Sequence, residues 1–476
     1  MEKILNFING ELVEPISGNY LDNINPSTGE VYSLVADSDE QDVNKAIEAA
    51  KNAFPEWKKT TKEERANILR KLSALIKENF DEFVKAESTD NGKPLKVSEN
   101  VDIPRSSKNL EYYADEILKF EGEKFSDEGM GENYLEYSPI GPVVSISPWN
   151  LPLYLFTWKI APALAAGNTV VAKPSEVTPM TAYMFTKLCN EAGLPKGVLN
   201  VIHGLGHKVG DALTTHKDIK AVSFTGSTAT GKIIAKNCGA HMKKYSLEMG
   251  GKNPNIIFAD CDFDEALSVT MRSSFANQGQ ICLCGSRIFI ERPIYEKFKE
   301  GMIEKAKKLR QGDPLDPKTH QGAVVSEPHM NKIISFFDLA VEEGGKILIG
   351  GKRADLPGFF VEPTIIENLA HDCRTNQEEI FGPVVTITPF DSEEEVTEWA
   401  NSTEYGLSAS IWTKDDTKAR RMASAIDSGV VWVNTWLMRD LRTPFGGMKE
   451  SGRGREGGTY ALKFYSDVKN ICIKNN

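Results

Sequence analysis

The segment Phe275-Ala-Asn-Gln-Gly-Gln-Ile-Cys282-Leu-Cys284 is the one most suited to nucleophilic chemistry. A cysteine acts as a nucleophile when it is accessible and its thiolate is favoured. Gly279 permits a tight turn ahead of Cys282, whose own backbone N–H can then help hold an oxyanion. Two other stretches could complete such a site. Tyr245-Ser-Leu-Glu248-Met-Gly-Gly251 ends an apolar run with a carboxylate, a general base if a dry pocket raises its pKa. Ser147-Pro-Trp149-Asn150-Leu-Pro152 presents an amide N–H₂ that could stabilise a developing negative charge. Each has an ordinary alternative: a buried small cysteine, an exposed loop glutamate, a turn asparagine.

Phosphate-binding candidates form a second group. Gly226-Ser227-Thr-Ala-Thr-Gly231-Lys232 follows an apolar run and opens a helix. It nearly matches a nucleotide-triphosphate loop, but Ile233 stands where a hydroxyl must reach Mg²⁺, which argues against an NTPase. Its backbone N–H groups at a helix start still suit a phosphate, or simply make a tight turn. Gly204-Leu-Gly206-His-Lys-Val-Gly210 is one residue too long for the dinucleotide fingerprint. Lys173-Pro-Ser-Glu176 could hold ribose hydroxyls at the end of a strand. No metal site is expected. Cys282 and Cys284 lack a second ligand pair at zinc spacing, and glycines separate His203 from His207.

These residues need a scaffold, and the hydrophobic rhythm supplies one. Ser38–Ala53, Thr61–Asn79 and Val101–Leu118 carry the helical period. From Gly141 onward, short apolar runs alternate with amphipathic helices: Pro142–Ser147, Thr169–Lys173, Val198–His203, Ala221–Thr225 and Tyr245–Met249 as strands. A second set follows at Asn255–Phe258, Ser286–Glu291, Gly358–Val361, Val384–Phe390, Ser408–Trp412 and Val430–Asn434. This pattern predicts an α/β fold of two lobes with parallel sheets and a cleft between them. The apolar run Leu151–Ala172 is broken by Lys159, Pro162 and Gly167-Asn168, so it reads as a buried helix and strand, not a membrane span.

The chain has 476 residues, enough for two or three domains. Its 56 basic and 67 acidic residues give a net charge of −11, which argues against a nucleic-acid or anionic-membrane partner. Seven cysteines, an odd and sparse set with no signal peptide at Met1–Asn9, suggest free thiols and a cytoplasmic location.

Taken together, the segments resemble the aldehyde dehydrogenase superfamily. The likeness runs from Phe7-Ile-Asn-Gly-Glu11 to Ser451–Glu456. It includes Pro148-Trp149-Asn150, Lys173-Pro-Ser-Glu176, Phe224-Thr-Gly-Ser227, Leu247-Glu-Met-Gly-Gly251-Lys, Gly279-Gln-Ile-Cys282, Glu378-Glu379-Ile-Phe381-Gly-Pro383 and Pro444-Phe-Gly-Gly447, in the family's order. The only departure noted is Met249, where the family often has Leu.

The resemblance implies a Rossmann-like NAD-binding domain over residues 1–118 and 140–250 and a catalytic domain over 251–461. It also implies oligomerisation segments at 119–139, a β-hairpin, and 462–476, hence a homodimer or homotetramer. It implies Cys282 as nucleophile through a thiohemiacetal and a thioester, Asn150 and the Cys282 N–H as oxyanion hole, and Glu248 as the base that activates water. Lys173 and Glu176 match the adenine-ribose side of the cofactor, Trp149, Gly226, Ser227 and Gly231 the pyrophosphate side, and Glu379 and Phe381 the nicotinamide-ribose side. A carboxylate at Glu176 favours NAD over NADP. Asp-Ile-Pro-Arg105, Cys-Leu-Cys and Arg439-Asp-Leu-Arg442-Thr-Pro-Phe-Gly-Gly resemble the branch that oxidises 2-aminomuconate and 2-hydroxymuconate 6-semialdehydes. There Arg105 and Arg442 map to the substrate's remote carboxylate, with Arg439 as a neighbour. Succinic semialdehyde, betaine aldehyde, retinal and a broad aldehyde range are alternative substrates, and an inactive binding protein or a thioesterase on this scaffold would be a different class.

Overall fold

A computed structural model describes residues 1–127 and 131–474. Its centre is an eight-stranded sheet in the order Gly452–Arg453, Lys244–Glu248, Ala221–Thr225, Pro142–Ile146, Thr169–Lys173, Leu199–Val201, Asn6–Ile8, Glu11–Val13. The five middle strands are parallel. In chain order they run outward from Pro142–Ile146 in both directions, so the winding reverses between that strand and Ala221–Thr225. Loops leaving such a reversal diverge and open a crevice at the carboxyl ends. Those loops carry Trp149, Asn150, Gly226 and Ser227.

The second sheet has seven strands: Lys346–Ile349, Thr364–Glu367, Val384–Phe390, Gly285–Glu291, Asn253–Ile257, Ser408–Trp412 and Val430–Val433. Only the first of these pairs antiparallel. The expected strand Gly358–Val361 does not form and contributes one isolated bridge, Arg353 to Val361. Thr364–Glu367 takes the place in the sheet, because its four side chains are all buried. Gly452–Arg453 lies in the stretch assigned to the second lobe, yet it pairs with Lys244–Glu248 of the first sheet.

Helix Pro152–Ala165 explains the misleading apolar run. All its residues but Leu155 are buried, as expected for a helix enclosed on every side. Among the described residues no helix is long and apolar enough to cross a membrane. A third sheet pairs Lys124–Asp127, Gly131–Pro139 and Ser466–Ile473, all antiparallel. Residues 128–130 of the expected hairpin, and 475–476, lie outside the described residues. All seven cysteines are free thiols.

Candidate active site

Cys282 is set in place by unusual backbone. Asn277 (φ 51°), Gln278 (φ 55°) and Gly279 (φ 68°) are consecutively left-handed. That geometry costs a non-glycine residue roughly 1–2 kcal/mol, so it persists only when other contacts enforce it. Asn277 Nδ2 donates to the Asn150 carbonyl (3.0 Å), Gln278 Nε2 to the Ala323 carbonyl (2.8 Å), and Gln280 Oε1 accepts from Val325 N (3.0 Å). At Gly279 a Cβ would lie 2.0 Å from the Gly382 carbonyl oxygen, so only glycine fits. Beyond the turn, Asn253 Nδ2 donates to the carbonyls of both Cys282 (2.7 Å) and Cys284 (2.8 Å), while Trp436 Nε1 holds that of Leu283 (2.8 Å). Three successive carbonyls are clamped, and the Cys282 side chain stands half-buried at a cavity.

That cavity has a volume of about 740 Å³. Cys282, Glu248, Trp158, Arg105 and Arg439 all line it. Burial pushes the Cys282 thiol well above its ordinary value, and the nearby Glu379 and Glu248 carboxylates push it further. Asn150 is buried beside the thiol segment, with Nδ2 donating to the Gln280 carbonyl (3.0 Å), which leaves that nitrogen a second N–H. Glu248 is buried with neither carboxylate oxygen partnered. Its pKa is raised well above the usual carboxylate range, first by burial and then by the Glu456 carboxylate.

Glu456 was not foreseen. It is buried and accepts from Trp158 Nε1 (2.7 Å), Lys159 Nζ (2.8 Å) and Ser223 Oγ (3.1 Å). A signal existed: Lys159 interrupts an apolar helix, and a charge in such a place demands a buried partner. Tyr154, Trp158 and Asn253 carried no comparable mark.

The candidate cofactor residues are each held by close contacts with their neighbours. Lys173 Nζ pairs with Glu176 (2.7 Å). Burial raises Glu176, but the Lys173 ammonium together with the backbone N–H groups of Glu176 and Gly206 leaves its pKa lowered. Ser227 Oγ accepts from Thr230 N (3.2 Å), capping helix Thr228–Ala240, and Gly226 N donates to the Glu248 carbonyl (3.0 Å). A Cβ on Gly231 would meet Met249 Sδ at 2.2 Å. Glu379 Oε1 accepts from Gly251 N (2.8 Å) and packs on Gly250. Phe381 (φ 60°) sets its ring edge-on to Trp149, with centroids 5.2 Å apart. A carboxylate beside an ammonium at a strand end, a capped helix start and a second buried carboxylate fit the two riboses and the pyrophosphate of NAD.

Residues 13–471 match the Aldehyde dehydrogenase family. The chain belongs to the aldehyde dehydrogenase family. It is 48% identical to a 2-aminomuconic semialdehyde dehydrogenase of Danio rerio over 99% of this chain and 98% of that protein. It is 44% identical to a 2-hydroxymuconic semialdehyde dehydrogenase of Pseudomonas sp. (strain CF600) over the whole of both chains. The solved NAD⁺ complex of an aldehyde dehydrogenase from Bacillus cereus superposes with a TM-score of 0.98 at 39% identity, over 100% of this chain and 97% of that one. This aldehyde dehydrogenase is therefore an aldehyde-oxidising enzyme.

The mapped substrate arginines divide. Arg105 and Arg439 come together on the cavity wall. Nε and Nη2 of Arg105 are buried without partners. Arg439 lies over the Phe445 ring (3.8 Å) and donates to the Tyr154 hydroxyl (3.1 Å). Arg442, which the sequence favoured over Arg439, does not join them. Its guanidinium is held by Asp440 two residues earlier, Nε to Oδ1 at 2.9 Å, and its side chain is 78% exposed. The short Asp-Leu-Arg turn lets Asp440 capture Arg442 and face it outward. Arg439 is thus the partner of Arg105.

Proposed function

We propose that this enzyme oxidises a semialdehyde carrying a remote carboxylate, of the 2-aminomuconate or 2-hydroxymuconate 6-semialdehyde type. The observation that carries this reading is the convergence of Arg105 and Arg439 on one wall of the cavity that also holds Cys282. Two guanidiniums side by side on a cavity wall offer paired donors and charge that suit a substrate carboxylate. The names of the relatives at 48% and 44% identity support the same substrate class.

In the proposed mechanism the Cys282 thiol gives its proton to Glu248, which passes it to solvent, and the thiolate Sγ attacks the aldehyde carbon to give a thiohemiacetal. Asn150 Nδ2 and the Cys282 backbone N–H donate to the oxygen on which negative charge develops. Such a donor contributes roughly 3–4 kcal/mol to the barrier. Bound NAD would supply a hydride acceptor for oxidation of the thiohemiacetal to a thioester. Glu248 then takes a proton from water, the resulting hydroxide adds to the thioester carbon, and the C–S bond breaks to release the acid and the Cys282 thiolate. Glu176, Lys173, Ser227, Trp149, Glu379 and Phe381 hold the cofactor. Exposed Phe125, Val468 and Ile473 on the small sheet support self-association as a dimer or tetramer.

The test compares an aldehyde acid, including a muconic semialdehyde, with a neutral aldehyde of similar length. Arg105→Ala and Arg439→Ala should each raise KM for the acid at least about tenfold, the loss of one charge-assisted contact, with little change for the neutral aldehyde. Arg442→Ala should alter neither. Equal effects on both aldehydes would rule out carboxylate recognition.

A further inference from the structure

The end of helix Phe80–Asn91 and the residues just beyond it reach two points on the loop that carries Asn150 and a third in the first turn of helix Pro152–Ala165. Glu87 Oε1 accepts from Leu153 N (3.3 Å), Asn91 Nδ2 donates to the Trp149 carbonyl (2.8 Å), and Lys93 Nζ donates to the Asn150 carbonyl (2.9 Å). All three side chains are fully buried. Gly92 makes the turn possible: its φ is +83°, and a Cβ there would come within 2.9 Å of the Ala323 carbonyl oxygen.

Lys93 does more than hold Asn150. Its ammonium also bonds the Asp102 carboxylate, which is fully buried, and lies 4.0 Å from Glu87 Oε1. Asp102 ends a turn of π-helix, Ser98–Asp102, and helix Ile103–Lys119 follows at once with Arg105 on its first turn. One buried nitrogen therefore touches the main chain of Asn150 and the root of the helix that bears Arg105. Burying an ammonium with two carboxylates is a poor way to gain stability, since apolar side chains of similar volume commonly do as well or better. Turns of π-helix are frequent at functional sites.

We propose that Lys93 is a positioning residue that fixes the oxyanion donor Asn150 relative to the carboxylate-binding Arg105. This rests on the roles of Asn150 and Arg105 proposed above. Lys93 touches neither substrate nor cofactor; it acts through the two residues that meet the ends of the substrate.

The test uses the full-length enzyme with NAD and two substrates of equal chain length, one aldehyde acid and one neutral aldehyde. Lys93→Met/Asp102→Leu replaces the ion pair with apolar side chains. It should lower kcat on both substrates at least about tenfold, because small displacements of a catalytic donor are costly. It should also narrow the acid-to-neutral ratio of kcat/KM about fivefold as the Arg105 helix loses its tie to Asn150. Asp102→Asn, a milder change, should narrow the ratio in the same direction. A merely structural cluster would lower Tm while leaving kcat and the ratio of the folded enzyme at wild-type values, and that result overturns the proposal. If the double variant does not fold, the ratio measured for Asp102→Asn decides alone. Asn150→Ala and Arg105→Ala are measured in parallel. If they have no effect, the assigned site and the positioning role both fall. If they act as expected while the Lys93 and Asp102 variants keep wild-type kinetics, only the positioning role falls.

Discussion

Arg105 and Arg439 share one aromatic ring. Their guanidinium carbons lie 5.9 Å and 5.5 Å from the centroid of Trp158. Burial lowers the pKa of Arg105, and the charge of Arg439 lowers it further. The Trp158 face offers each cation some compensation, while its N–H is committed to Glu456. The indole thus separates a cationic wall of the cavity from the carboxylate network behind it.

That network should be visible in the pH dependence. Glu248 is raised by burial and by the Glu456 carboxylate, so its ionised form appears only at higher pH. As the base it must be ionised, and kcat should therefore rise with pH through its pKa. Glu456→Gln removes the neighbouring negative charge and leaves the Lys159 ammonium less compensated. Both changes lower the Glu248 pKa. The acid limb of kcat should move about one unit toward lower pH, as read from steady-state rates across pH; an unmoved limb would remove Glu456 from the titration of the base.

Gly250 should control the grip on the cofactor. A Cβ there would sit 2.2 Å from Glu379 Oε2 and 2.7 Å from its Cδ. Gly250→Ala must push the buried carboxylate aside, and KM for NAD should rise about tenfold or more, with kcat less affected. Gly239→Ala is the matched control: nothing lies within 4 Å of its Cβ. In helix Thr228–Ala240 this change should leave KM unaltered.

His203 should govern part of the acid sensitivity. It is fully buried with neither ring nitrogen partnered. Burial, then the Lys173 charge, holds its pKa down at about 3. Its folded-state pKa is lowered, so the unfolded chain binds the extra proton; stability is intact above about pH 6.5 and is lost as pH falls toward 3. His203→Leu should escape this loss, which at pH 4.5 amounts to about 2–3 kcal/mol. Urea unfolding of both proteins at pH 7 and pH 4.5 measures the difference, and equal acid sensitivity would count against it.

The nucleophile segment, the parallel sheets and the cofactor turns were legible because each is a local pattern: glycines where Cβ cannot fit, apolar runs at strand spacing, a serine at a helix start. What was not legible depends on distant chain meeting. Nothing near Arg439 or Arg442 says which one Asp440 will capture; that is decided by the turn geometry. Glu456 becomes part of the site only because Gly452–Arg453 adds to the edge of a sheet made from a different part of the chain. Gly358–Val361 looked like a strand on composition, yet Thr364–Glu367 fills the sheet position because its side chains are enclosed on both faces.

The raised pKa of Cys282 also bears on the enzyme's durability. Peroxides and alkylating compounds attack the thiolate far more readily than the thiol. A free cysteine loses its proton near pH 8.5, whereas Cys282, walled in beside two carboxylates, keeps its proton at neutral pH. The site therefore favours the thiol over the thiolate until a base takes the proton. The same enclosure that makes ionisation difficult should slow alkylation and oxidation of Cys282 relative to an exposed thiol.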